Sequence, residues 1–145
     1  MFTMKAISIP LKLINLQDDG FHLLMEVVVF KEQHLAVLDT GASRTVFDKS
    51  LIEEYLSESM QVSDEINAAT LFTTTTTIQA TLPLLKIGTL KIRDYETVAF
   101  DLQSVSDTYQ QFGHPPIKGI IGGDILMQYK AVIDYKKLQL RLYKE

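Results

Sequence analysis

The chain has 145 residues, 46% of them apolar, and a formal charge of −4. That length suits one domain, expected over residues 1–145 around one core, and the acidic balance excludes nucleic acid and anionic membrane as expected partners, since both call for a basic face. With no cysteine, a disulfide framework and a thiolate metal site are excluded, and no apolar run nears the roughly 20 residues of a membrane span.

Taken in order, the text reads as mostly β. Residues 6–13 place Ile7, Ile9, Leu11 and Leu13 at strand spacing, and Asp18-Asp19-Gly20 marks a turn. Residues 23–30 and 35–38 form a predicted hairpin joined by the polar stretch 31–34. The period then changes. Leu51, Ile52, Tyr55 and Leu56 fall at helical spacing over 48–56, with Asp48 or Ser50 as candidate caps. A polar loop is expected over 57–67. Residues 71–85 return to strand composition, with Thr73–Thr77 suited to a pleated surface having one wet face. A turn at 86–88 and strands at 90–92 and 97–102 follow. Residues 103–116 are polar and irregular, closing in Gly113-His114-Pro115-Pro116, and are expected as a loop long enough to be functional. An apolar strand over 117–122, a short helix over 124–129 and a hairpin of 131–135 with 138–143 complete the chain.

Two features carry chemistry. An apolar strand, Leu35-Ala36-Val37-Leu38, delivers Asp39 into the small-residue turn Thr40-Gly41-Ala42-Ser43. An ionised carboxylate there is costly unless hydrogen-bonded. The Thr40 and Ser43 hydroxyls and the Gly41 N–H are the expected donors. About eighty residues on, a second apolar strand ends as Ile120-Ile121-Gly122-Gly123-Asp124, where the glycines allow close approach to the Asp39 turn.

Together these residues resemble the retropepsin-like family of aspartic proteases, over roughly residues 23–142. The resemblance implies a mainly all-β fold, a closed acid-protease β-barrel with one or two short helices. It implies that Asp39 is catalytic. Thr40 would bond across a dimer to the partner's turn, Gly41 would offer backbone atoms to substrate, and Ile120, Ile121 and Gly122 would line and brace the active-site turn. A flap is expected at Ile66, Asn67, Ala68, Ala69 and Thr70, although this segment lacks the glycines usual in the family. Retroviral members carry an arginine after the second motif. Here Gly123-Asp124 stands in its place while Arg44 follows the aspartate turn, so an Arg44–Asp124 ion pair with exchanged charges is expected.

The chemistry needs two carboxylates, and only one Asp-Thr-Gly occurs. A homodimer supplying one Asp39 from each copy is therefore expected, with a peptide or protein as substrate and no cofactor. Asp134, Asp101 and Asp94 lack a small-residue turn and are expected to be structural. His22, His34 and His114 share no ligand spacing, so no metal is expected and all three are placed at the surface. The start lacks a basic segment followed by a long apolar one, so a cytoplasmic location is expected. Two functions remain open at this point: an endopeptidase, and a peptide-binding or scaffold domain that keeps the fold with little turnover.

Overall fold

The computed structural model describes residues 4–17, 20–56, 61–67 and 76–145. Its largest sheet runs β2-β3-β4-β9-β5-β8-β7-β6: Lys12–Asn15, Phe21–Val29, Glu32–Leu38, Ile117–Ile121, Val46–Asp48, Leu90–Phe100, Thr76–Ile87 and Gln61–Asn67. A further pairing, Val28↔Lys86 and Val29↔Leu85, joins β3 to β7. It closes β3, β4, β9, β5, β8 and β7 into a six-stranded barrel, which leaves those strands no open edge.

Alternation along the strands explains what fills the barrel. Met25, Val27 and Val29 of β3, Ala36 and Leu38 of β4 and Phe47 of β5 point inward with Leu82, Leu85, Ile87 and Ile121, all buried. The opposite face of β3 and β4 carries Leu24 and Val37. These join Ile14, Leu16, Ile117 and Tyr109 in a smaller second cluster. A separate three-stranded sheet, β1-β11-β10 (Lys5–Pro10, Gln139–Lys144, Val132–Asp134), lays Ile7, Ile9, Leu140 and Leu142 onto the main core.

The fold is retropepsin-like, as expected, but several local expectations need correction. The strand foreseen over 6–13 breaks at Leu11, whose N–H donates to the Leu138 carbonyl (2.9 Å), and its halves enter different sheets. The β3–β4 turn is tighter than the polar stretch suggested. Val29 pairs with Glu32, leaving Phe30 (φ 53) and Lys31 (φ 66) as a two-residue turn with both residues left-handed. Phe30 stacks on Tyr55 (4.7 Å, 13°) of helix α1, Lys49–Leu56, and that packing offsets the unusual backbone. At the β7–β8 turn, between Ile87 and Leu90, Gly88 supplies the positive φ of +60°. Of the loop expected over 57–67, residues 61–67 are strand β6 and 57–60 lie outside the described residues, as do residues 73–75 of the threonine run.

The largest departure is a third helix. Helix α2 spans Gln103–Gln111, where a loop was expected. Its inward residues are Ser106 and Tyr109, in line with buried Leu102. Val105 and Phe112 pack beside Tyr109 on the second cluster, so Leu102, Val105, Tyr109 and Phe112 keep a helical period that the polar residues between them and the closing glycine and prolines obscure. The Ser106 hydroxyl accepts the Ile117 N–H (2.9 Å), tying α2 to β9. Asp48, a candidate cap for α1, accepts the Leu102 N–H instead (2.9 Å), with Lys118 Nζ at 3.5 Å.

The β10–β11 hairpin generates a pH prediction. The Asp134 carboxylate accepts the Lys137 N–H (2.9 Å) and faces Arg141 (3.3 Å). The Lys137 N–H foremost, with Arg141 second, holds its carboxyl below the usual carboxylate range. A depressed acid stabilises the fold above its unfolded pKa, and that contribution is lost as pH falls through the folded value. Asp134→Asn is expected to melt below wild type at pH 7, and the difference is expected to close near pH 2, as read by circular dichroism.

Candidate active site

Strand β9 runs between β4 and β5, parallel to the first and antiparallel to the second, with Leu38↔Ile121 and Val46↔Ile120 in register. The connection from β4 to β5 is the Asp39 turn. The second motif is thereby threaded beside the first, as the glycines allow.

Backbone groups make most of the joint. Asp39 N–H donates to the Ile121 carbonyl (3.0 Å). Gly123 N–H donates to the Ala42 carbonyl (2.7 Å), and Asp124 N–H to the Ser43 carbonyl (3.1 Å). Gly122 N–H donates to Thr45 Oγ1 (2.9 Å). A Cβ on Gly122 would lie 2.7 Å from the carbonyl oxygens of both Ala42 and Arg44, so only glycine fits. Gly119 has a related role lower down, where a Cβ would meet the Phe47 ring at 3.0 Å.

Asp39, Thr40 and Gly41 are exposed at the head of this joint. Asp39 Oδ1 accepts the Gly41 N–H (2.9 Å), and the Asp39 carbonyl accepts the Ala42 N–H (3.1 Å). The carboxylate is therefore oriented by its own turn through one oxygen. The expected Thr40 and Ser43 hydroxyl bonds to it are not made; Ser43 contributes its carbonyl. Among the described residues, neither Asp39 Oδ2 nor the Thr40 hydroxyl has a hydrogen bond within the chain.

The structure places Asp124 differently from the ion pair foreseen. Its Oδ1 accepts both the N–H and the hydroxyl of buried Thr45, each at 2.8 Å. Its Oδ2 accepts the Tyr95 hydroxyl. Among the described residues there is no Arg44–Asp124 ion pair. Three neutral donors already satisfy the carboxylate, and exposed Arg44 meets the joint with its backbone. Burial first, and the Asp124 hydrogen bond second, push the Tyr95 phenol far up, so this network keeps its proton. Asp124 also sits in the first turn of helix α3, Gly123–Gln128, where a negative charge faces the helix dipole favourably. Tyr95 and Thr45 escaped the sequence reading because neither belongs to a motif.

All three histidines are corrected, His114 being half-buried as well. His22 is half-buried, and its Nδ1 lies 2.8 Å from the hydroxyl of buried Tyr109. His34 is half-buried with Nε2 unpartnered, and burial pulls its imidazole pKa down. Of the expected flap, Ile66 and Asn67 fall on β6, while Ala68, Ala69 and Thr70 lie outside the described residues. Among the described residues, no group of three or more His, Asp or Glu is arranged to hold a metal.

Residues 25–125 match a family model described as "Aspartyl protease". The fold is similar to that of a retropepsin-like aspartic protease from Rickettsia conorii, with a TM-score of 0.60 and 16% identity, covering 100% of this chain and 98% of that one. It is also similar to the retroviral protease-like domain of Ddi1 from Leishmania major, with a TM-score of 0.56 and 16% identity over 83% of this chain and 87% of that one. No curated protein matches the sequence.

The joint can be tested without turnover. Gly122→Ala forces a methyl against two carbonyl oxygens of a clamped turn and is expected to cost about 3 kcal/mol, at the upper end for overpacking. Asp124→Asn sets an amide N–H₂ against donors and is expected to cost about 2 kcal/mol. Urea unfolding measures both, and losses under about 0.5 kcal/mol would show that β9 does not clamp the turn.

Proposed function

We propose that this chain, which belongs to the aspartyl protease family, is an endopeptidase whose active form is a homodimer with one Asp39 from each copy. The observation that carries this reading is the exposed Asp39-Thr40-Gly41 turn, held from behind by β9, with one carboxylate oxygen oriented by Gly41 and the other hydrogen-bonded to none of the described residues.

One such carboxylate is half of a mechanism. Two brought close together cannot both ionise cheaply, so the pair holds one proton between them. The ionised member takes a proton from a water, and that water attacks the scissile carbonyl carbon. The protonated member donates to the carbonyl oxygen as it gains charge. The tetrahedral intermediate collapses when the amide nitrogen is protonated and the C–N bond breaks. Water is the nucleophile, so no acyl-enzyme forms. The titration belongs to the pair.

A two-fold arrangement suits a self-complementary surface. Thr40 would reach the partner's turn with its exposed hydroxyl, and Gly41 would present backbone to an extended peptide bound by strand-like hydrogen bonds. The segment Ile66 to Thr70, at the end of β6, would close over that peptide. Ile120, Ile121 and Gly122 would brace the turn from beneath.

The test compares wild type with Asp39→Asn on a peptide library between about pH 4 and 7. Cleavage is expected in wild type and is expected to fall about a thousandfold in the variant. Solution mass by light scattering is expected to give a dimer. Cleavage that persists in Asp39→Asn overturns the mechanism, and peptide binding without cleavage by wild type would favour a scaffold.

A further inference from the structure

Strand register brings a histidine to the Asp39 side of the sheet. Leu24 pairs with Val37 across β3 and β4. Two residues on from these stand His22 of β3 and Asp39, one residue past the end of β4; continued alternation puts both on the face that carries the second apolar cluster. On the far side, β2 sets Ile14 opposite His22.

Helix α2 covers the same spot. Tyr109 is 4% exposed, and its hydroxyl is 2.8 Å from His22 Nδ1. The two rings meet edge to face with centroids 5.7 Å apart. The Tyr109 carbonyl accepts the Phe112 and His114 N–H groups (3.1 Å each), which fixes the end of the helix. Burial first, and the Asp39 charge second, push the Tyr109 phenol up, so it stays a neutral hydroxyl whose oxygen can accept from His22 Nδ1–H.

We infer that His22, held by Tyr109, is a positioning residue for the Asp39 centre: when protonated, its imidazolium favours the singly ionised form of the carboxylate pair and extends activity to lower pH. The inference rests on the proposed role of Asp39. Imidazoles are the side chains that change charge between about pH 5 and 8, which overlaps the range in which such a carboxylate pair works. A nearby positive charge lowers the pH at which the pair takes up its second proton. Among the described residues, Tyr109 of α2 touches His22, and Asp39 stands just past the end of neighbouring β4. On the shared face, Lys12 of β2 and Glu26 of β3 lie further along, beside and beyond Leu24. On α2, exposed Asp107 is bonded to Gln103, and half-buried His114 follows the helix.

Coupling between two titrating sites is reciprocal, which gives two readouts on the full-length chain. The first is the pH profile of kcat/KM on a cleaved peptide. His22→Gln is expected to move the acid limb up by about half a pH unit, the size expected of one charge several ångströms away in a half-wet site. Tyr109→Phe, which keeps the packing and removes the tether, is expected to move it part of the way. The second is an NMR titration of the His22 ring, whose midpoint is expected to fall by about 0.3 units or more when Asp39 is changed to Asn. Acid limbs that coincide in folded variants, or a His22 midpoint indifferent to Asp39→Asn, would overturn the inference. Loss of all Asp39-dependent cleavage in wild type would instead defeat the protease reading, and the NMR titration would still decide whether the two side chains are coupled.

Discussion

The close approach of β9 to the Asp39 turn is the constraint on which the site depends. Gly122 lies against two carbonyl oxygens and donates to Thr45, and the two residues after it donate to Ala42 and Ser43. No other strand could sit there, because the space admits no Cβ. The turn is thereby fixed by a strand about eighty residues away in sequence. The carboxylate at its head does not depend on the strength of its own short loop.

Behind that contact lies a polar network that stays uncharged on one side. Asp124 accepts twice from Thr45 and once from Tyr95, and Thr45 Oγ1 accepts in turn from the Gly122 N–H. Every donor in the set is neutral, so this half-buried carboxylate has its acceptors filled without a guanidinium. Buried networks of this kind are useful when fully satisfied and costly when not. Arg44 is left exposed.

Much of this was legible in the sequence. Leu35 to Ser43 and Ile120 to Asp124 announce two apolar strands that end in small residues, and the fold joins them side by side. Strand alternation was readable wherever one face is apolar, as in β3 and β4. The failures have physical causes. Helix α2 packs Val105, Tyr109 and Phe112 on the second cluster at helical spacing, but its many polar residues and the Gly113-His114-Pro115-Pro116 end read as a loop. The β3–β4 turn uses Phe30 and Lys31, residues that normally avoid positive φ, because Tyr55 stacks on Phe30. Asp124 was paired with the wrong group because its true partners, Thr45 and Tyr95, reach it only through tertiary packing. His22 looked like surface because α2, which covers it, was not foreseen.

The small sheet has a consequence for how the molecule is assembled. It pairs Lys5 with Lys144 and Pro10 with Gln139, so its two long strands are separated by nearly the entire polypeptide. Contacts this distant carry a large loop-closure entropy and form late. On the ribosome, β1 emerges long before β11, with Ile7 and Ile9 uncovered in the meantime. That interval is when a nascent copy is most open to capture by a chaperone or by the wrong neighbour.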